Sequence, residues 1–321
     1  MNRFPDRTPV ERPEDFGRVA VLMGGTSAER DISLLSGNAV LSALQRRGID
    51  AHGLDPAAGL AGLLAEGGFD RAWLALHGRG GEDGAMQGAL EVMGVPYTGS
   101  GVAGSAIAMD KLRSKQLFRA WGLETPGWAL MESAEDAKPI VEALGLPLMV
   151  KPAREGSSVG MARVEKADDL VPAWEAARAF DPVVLVEAWV TGGEYSVPIL
   201  QGTALPMVRI ETPRVFYDYE AKYFADDTRY FCPAGLAADR EAEYADLALT
   251  AFRAVGASGW GRVDFLLPDD GCPRFLEVNT IPGMTGHSLV PMGAAQAGIG
   301  FDELAWRVLE TSVAGREEAR G

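Results

Sequence analysis

Gly261-Arg262-Val263-Asp264-Phe265-Leu266-Leu267 and Arg274-Phe275-Leu276-Glu277-Val278-Asn279 are the two runs on which the reading of this chain turns. Both read as strands, and Pro268-Asp269-Asp270-Gly271 between them predicts a turn. Side chains alternate faces along a strand, so Glu277 and Asn279 point the same way, as do Arg262 and Asp264. If the hairpin pairs in register, Asp264, Glu277 and Asn279 bring hard oxygen ligands together beside one guanidinium. Such oxygens suit Mg²⁺, which takes one or two carboxylates plus substrate phosphates. Arg262 would suit developing negative charge. The hairpin therefore points to a nucleotide-phosphate site.

Working outward, the 321 residues are enough for two or three packed units, and 47% hydrophobic content supports real cores. A formal net charge of −15 argues against nucleic acid or an anionic membrane as the main partner, while leaving room for a local basic pocket for ATP. Cys232 and Cys272 do not make a disulfide framework. No apolar run has the length of a membrane span. Residues 1–16 are charged, carry three prolines and lack an apolar signal region, which predicts a mobile extension on a cytoplasmic enzyme.

Arg18 to Leu22 predicts a strand running into Gly24-Gly25-Thr26-Ser27-Ala28-Glu29-Arg30, followed by a helix from about Ser33 to Arg46. Ala72 to Leu76 predicts a second strand, ending at His77-Gly78-Arg79-Gly80-Gly81-Glu82-Asp83-Gly84. Alternating strands and helices indicate a parallel α/β unit over 17–100, with functional loops at the carboxyl ends of its strands. A helix from about Met109 to Trp121 opens a central unit over 101–188. Its strand from Pro147 to Val150 ends at Lys151-Pro152, before the loop Arg154-Glu155-Gly156-Ser157-Ser158-Val159-Gly160. Another strand runs from Val183 to Glu187, and a turn at 190–194 opens a third unit over 189–321, which holds the hairpin and a terminal helix from Phe301 to Val313. Segment 211–230, rich in aromatics and charges, predicts a lid or binding loop.

Several residues have two readings from position alone. The Gly24-Gly25-Thr26-Ser27 loop fits a tight strand-to-helix turn, a nucleotide loop or a substrate site with Glu29 facing an ammonium; the G-x-G-x-x-G spacing of a dinucleotide site is absent. His77 at a strand end is either structural or functional. Lys111 and Lys151 are surface cations or phosphate ligands, and the apolar run before Lys151 favours the second for it. Glu187 and Glu194 are loop acids or acceptors from adenine and ribose. The Gly283 N–H in the turn after Asn279 is an ordinary turn donor or an oxyanion donor beside Arg262.

Taken in order from about Val19 to Val313, these segments resemble the D-alanine–D-alanine ligases of the ATP-grasp group. The resemblance rests on Gly24 to Arg30, Leu74 to Gly84, Met109-Asp110-Lys111, Lys151-Pro152 with Glu155 to Gly160, Tyr217-Asp218-Tyr219-Glu220-Ala221-Lys222-Tyr223, Gly261 to Asp264, and Glu277 to Thr280 with His287 to Pro291. It implies a three-domain α/β ATP-grasp fold and the reaction of ATP with two D-alanines to give D-alanyl-D-alanine, ADP and phosphate through an acyl phosphate. It implies two Mg²⁺ ions, with Mn²⁺ as an alternative, and a homodimer.

Carried over by position, the resemblance assigns ATP phosphates to Lys111 and Lys151, and adenosine to Glu187 and Glu194. It assigns the metals to Asp264, Glu277 and Asn279, and the oxyanion to Arg262 and the Gly283 N–H. Glu29 would hold the first D-alanine ammonium, with His77 nearby, and would form a lid-closing group with Ser157 and Tyr223. Lys222 and Ser288 would hold the second D-alanine carboxylate, with Lys222 also near the γ-phosphate. Ala188 stands where relatives often carry a lysine, and Ile281 where they often carry a serine. Tyr223 resembles the dipeptide-forming kind rather than the D-lactate-using kind. Another ATP-grasp ligase would share the lysines and metal ligands but not Glu29, Ser157 and Tyr223. A non-catalytic nucleotide binder would have no need of Arg262, and a Rossmann oxidoreductase lacks its fingerprint.

Overall fold

The computed structural model describes residues 4–214 and 227–318. Lys222, Tyr223 and most of the expected lid lie outside the described residues. Among the described residues the strands form three sheets. The first is parallel, in the order β2 (Ala51–Leu54), β1 (Val19–Leu22), β3 (Arg71–Leu74). The second is antiparallel, in the order β4 (Trp128–Leu130), β7 (Val184–Ala188), β5 (Leu148–Pro152), β6 (Ala162–Val164). The third, also antiparallel, runs β11 (Arg229–Phe231), β10 (Val208–Glu211), β8 (Gly193–Leu200), β12 (Trp260–Leu267), β13 (Arg274–Asn279), with β9 (Thr203–Ala204) paired to β8.

The β12–β13 hairpin pairs Arg262 with Asn279 and Asp264 with Glu277, so the register expected from the sequence is the register formed. The register shifts just after Asp264, at Phe265. Such an irregularity re-aims neighbouring side chains and is common beside active sites. Phe265 and Phe275 turn inward to a core with Tyr195 and Tyr244. Tyr195 stacks on Phe265 with ring centroids 5.4 Å apart.

The cores are not contiguous in sequence. The helix Lys111–Ala120 packs Phe118 against Phe275 of the third sheet, although it precedes the strands of the second. The terminal helix Phe301–Glu318 returns to the parallel sheet, where Leu304, Val308 and Leu309 join Val21, Leu44 and Trp73. Trp260, at the start of β12, lies 5.4 Å from Trp73 between ring centroids and joins the first core to the hairpin strand. The hairpin is therefore fixed from two sides by buried aromatics.

Three expectations change, and one element is added. Residues 4–16 are packed, not a mobile extension: Phe4 and Phe16 are buried, and Arg7 pairs with the fully buried Glu310. The proline-rich composition hid this, because two aromatic anchors and one buried ion pair decide it. The helix expected from about Met109 to Trp121 forms as Lys111–Ala120, and a separate helix, Val102–Met109, precedes it. Asp110 breaks them with an extended backbone and caps the second by accepting from Arg113 N. Lys151 lies inside β5 and pairs across to Leu185, so it does not follow the strand. Glu194 lies inside β8, opposite Leu266 and Ile210, so it does not follow a turn. No helix among the described residues is long and apolar enough to cross a membrane.

Candidate active site

The edges of these sheets enclose two neighbouring cavities. The larger, of about 620 Å³, is lined by residues of β5, β7 and β8 and by Glu277 of β13. Its volume suits a nucleotide-sized ligand. The smaller, of about 70 Å³, lies among Glu29, His77, Arg262, Asn279, Gly283 and Ser288. Ser157 and Glu277 line both, so they form a shared wall.

Lys111, Lys151, Glu187 and Glu194 all line the larger cavity. Glu187 is 2% exposed and sits between two ammonium groups, with Oε2 2.7 Å from Lys151 Nζ and Oε1 2.9 Å from Lys115 Nζ. Burial alone would raise the Glu187 pKa, but the two cations outweigh it and hold the carboxyl below its ordinary value. Lys115 is fully buried, and desolvation pulls its pKa down to about 8 despite the attraction of Glu187. Lys111, one helical turn before Lys115, donates to Glu155 O and lies 3.6 Å from Glu277 Oε2. Its ammonium therefore bridges the glycine loop and the hairpin.

At the smaller cavity, Ser157 Oγ donates to Glu29 Oε2 and closes the glycine loop onto the start of the first long helix. The fit leaves no room for a side chain at Gly156, where a Cβ would meet Glu29 Oε1 at 2.7 Å. Ser157 and Ser158 hold left-handed backbone, with φ of 50° and 60°. Non-glycine residues adopt it at an energetic cost and often near functional sites. His77 is 5% exposed; Nδ1 contacts Ile281 O and Nε2 contacts Ser36 Oγ, each at 3.1 Å. Burial opposes a charge on His77, yet Glu82 and Glu29 raise its pKa. Glu82, 3.5 Å from His77 Nδ1, is itself raised by burial.

On the hairpin, Arg262 grips Asp264 with two nitrogens, Nε at 2.9 Å from Oδ1 and Nη2 at 2.8 Å from Oδ2. Ser196 Oγ donates to Oδ1 at 2.6 Å and Asn279 Nδ2 to Oδ2 at 3.0 Å. Gly283 approaches Ser288 so closely that a Cβ would lie 2.8 Å from Ser288 Oγ. Ser288 Oγ accepts from Thr285 N at 2.9 Å and precedes the helix Leu289–Gln296. Among the described residues no group of three His, Cys, Asp or Glu could hold a metal ion. The expected set is instead two carboxylates and an amide.

The structure thus brings together every described residue singled out in the sequence, in two groups with a shared wall. Sequence reasoning missed Lys115, Ser196 and Ser36, which stand behind the cavity-facing groups. Lys115 had one legible signal, its i, i+4 spacing from Lys111 on a predicted helix. Ser196 had none, because its role comes from the β8–β12 pairing that sets it opposite Asp264.

Residues 117–310 match the family description "D-ala D-ala ligase C-terminus", and residues 57–100 match "D-ala D-ala ligase N-terminus". The chain is 58% identical to the D-alanine–D-alanine ligase of Alkalilimnicola ehrlichii over 93% of its own length and 96% of that protein. Among solved structures, it is similar to the D-alanine–D-alanine ligase from Bacillus anthracis complexed with ATP, at a TM-score of 0.82 and 34% identity, over 94% of this chain and 99% of that one. It is also similar to the VanG D-Ala:D-Ser ligase from Enterococcus faecalis, at a TM-score of 0.81 and 29% identity, over 92% and 99% of the two chains.

Proposed function

The chain belongs to the D-alanine–D-alanine ligase family and has its ATP-grasp fold, and from that premise we propose how its residues divide the reaction. The enzyme joins two D-alanines with ATP, through D-alanyl phosphate, and releases ADP and phosphate for peptidoglycan precursor synthesis. The observation that carries the residue roles is the shared wall: Ser157 and Glu277 face a nucleotide-sized cavity on one side and a small polar cavity on the other. A phosphoryl group passing from one ligand to another needs that adjacency.

ATP occupies the larger cavity, with its adenosine toward Glu187 and Glu194 and its phosphates toward Lys111 and Lys151. Glu29, oriented by Ser157, binds the ammonium of the first D-alanine, with His77 behind it. A carboxylate oxygen of that D-alanine attacks the γ-phosphorus, the bond from phosphorus to the ADP oxygen breaks, and an acyl phosphate forms. The free amine of the second D-alanine, held by its carboxylate at Ser288 and Lys222, attacks the acyl carbon. Arg262 and the Gly283 N–H take the negative charge of the tetrahedral intermediate until phosphate leaves, taking up the proton shed by the attacking nitrogen. Tyr223 completes the lid-closing group with Ser157 and Glu29.

Asp264, Glu277 and Asn279 fit two Mg²⁺ ions, or Mn²⁺, by their chemistry: two hard carboxylates opposite one another and an amide oxygen, with substrate phosphates to complete the shell. Arg262 holds both oxygens of Asp264, so a metal there would take them over from the guanidinium and release Arg262 toward the oxyanion. Bound there, the metal supplies charge stabilisation to the transferring phosphoryl group. The same family reading carries a cytoplasmic homodimer with no nucleic-acid or membrane partner.

The test is incubation with ATP, Mg²⁺ and D-alanine, with and without D-lactate, reading phosphate release and products by mass spectrometry. D-Alanyl-D-alanine matching phosphate is the expected result. Depsipeptide in its place would overturn the assignment of the second substrate, and absence of any ligated product would overturn the reaction.

A further inference from the structure

We propose that Lys115 is a positioning residue for nucleobase discrimination: from behind the cavity wall it holds one oxygen of Glu187 and so fixes the carboxylate that a 6-amino purine meets. The inference rests on the reading that Glu187 faces the adenosine.

Lys115 is fully buried and is not among the residues that line the larger cavity. Its ammonium has two partners with opposite roles. Glu187 Oε1 lies 2.9 Å away, and Thr125 Oγ1 accepts at 2.6 Å. Thr125 in turn donates to Phe275 O at 2.9 Å, on the strand that carries Glu277. The ammonium is therefore hydrogen-bonded toward the hairpin on one side and ion-paired with Glu187 on the other, where Oε1 has no hydrogen-bond partner among the described residues.

Neutralising Glu187 does not by itself call for Lys115, because Lys151 already sits 2.7 Å from Oε2. A second fully desolvated ammonium costs stability, and a buried ion pair is often no better than an apolar replacement of the same shape. What the second cation adds is direction. With one cation on each oxygen, the carboxylate cannot rotate onto Lys151 alone.

An ionised carboxylate can only accept hydrogen bonds. The exocyclic amine of a 6-amino purine donates, whereas the 6-oxo group of hypoxanthine presents an acceptor and leaves both groups unsatisfied. Sites built on such a polar contact discriminate strongly, provided the protein group is held in place. Freed from Lys115, Glu187 would turn toward Lys151, losing the base contact and drawing that lysine from the phosphates.

The experiment compares kcat/KM for ATP and for inosine triphosphate, at saturating D-alanine and Mg²⁺, in the full-length enzyme and in Lys115→Met, Thr125→Val and Glu187→Gln. Lys115→Met should reduce the ATP-over-ITP ratio by about tenfold, mainly through the KM for ATP. Thr125→Val, which removes the anchor and keeps every charge, should reduce it by about threefold, and it carries the test if Lys115→Met does not fold. Equal losses with both nucleotides would mean a merely structural lysine and overturn the proposal. A ratio altered by Glu187→Gln but not by Lys115→Met or Thr125→Val would overturn the positioning role and leave the Glu187 reading standing. A ratio unchanged by Glu187→Gln would overturn the Glu187 reading itself, and the inference with it.

Discussion

In the larger cavity two carboxylates are tied to lysines: Lys115 and Lys151 bracket Glu187, and Lys111 lies beside Glu277. In the smaller cavity Glu29, Glu82 and Glu277 lie with two histidines, His77 and His287, and one arginine, and that arginine is already gripping Asp264. The larger site is thus preorganised around its own charges, whereas the smaller concentrates negative groups that an ammonium or a metal would complement. The difference teaches that substitutions in the two regions should fail differently. Losses at the smaller site should strike the chemical step or the amino-acid substrate, and losses at the larger site should strike nucleotide binding.

The largest effect should come from Arg262→Met. Removing the guanidinium takes away the proposed oxyanion donor, and kcat should fall about 10³-fold with ATP affinity changed by less than about threefold. Stopped-flow turnover alongside calorimetric ATP titration checks both numbers. A comparable loss of ATP affinity would break the division, because it would make Arg262 a nucleotide residue. Lys151→Met should sit next, raising the KM for ATP about 30-fold, the equivalent of about 2 kcal/mol for a lost charge-assisted hydrogen bond. Its kcat at saturating ATP should stay within about threefold. If kcat falls instead and KM holds, Lys151 acts in the transition state and the larger cavity is not simply a binding site.

Glu29→Gln should raise the KM for the first D-alanine about tenfold and leave the KM for ATP unchanged. Ser157→Ala should act in the same direction but less, because it removes only the group that orients Glu29. A shift in the KM for ATP under Glu29→Gln would couple the two cavities through Ser157, the residue they share.

This division also explains what could be read from the amino acids alone. The hairpin was legible because Arg262, Asp264, Glu277 and Asn279 follow a period of two, and pairing in register needs only a short turn. Lys151 and Glu187 were legible at the ends of apolar runs and Glu194 after a turn, although all three lie inside strands. The supporting residues were not, since Lys115 meets Glu187 only after β7 is brought to the helix Lys111–Ala120. The packing of residues 4–16 was hidden for a similar reason, because its anchor, Glu310, lies 303 residues away from Arg7. Contacts set by local period survive in a single sequence, and contacts set by tertiary return do not.

The smallest predicted effect tests the larger cavity by pH. Lys115 has a folded-state pKa lowered to about 8 from 10.5, because desolvation and the nearby Lys151 and Lys111 outweigh the pull of Glu187. It is therefore charged below about pH 8 and increasingly neutral above it. Its hold on Glu187 is present on the acid side and fades on the alkaline side. Equilibrium ATP affinity should weaken by about threefold between pH 7 and pH 9, and Lys115→Met should flatten that change. Stability should move the other way for this group. A lysine with a depressed folded-state pKa binds fewer protons folded than unfolded between about pH 8 and 10.5, so its contribution to stability rises with pH across that window. Weaker ATP binding without a matching loss of thermal stability is the signature of a misplaced carboxylate rather than a loosening fold. Parallel loss of both would assign the alkaline effect to unfolding and remove Lys115 from the account of nucleotide binding.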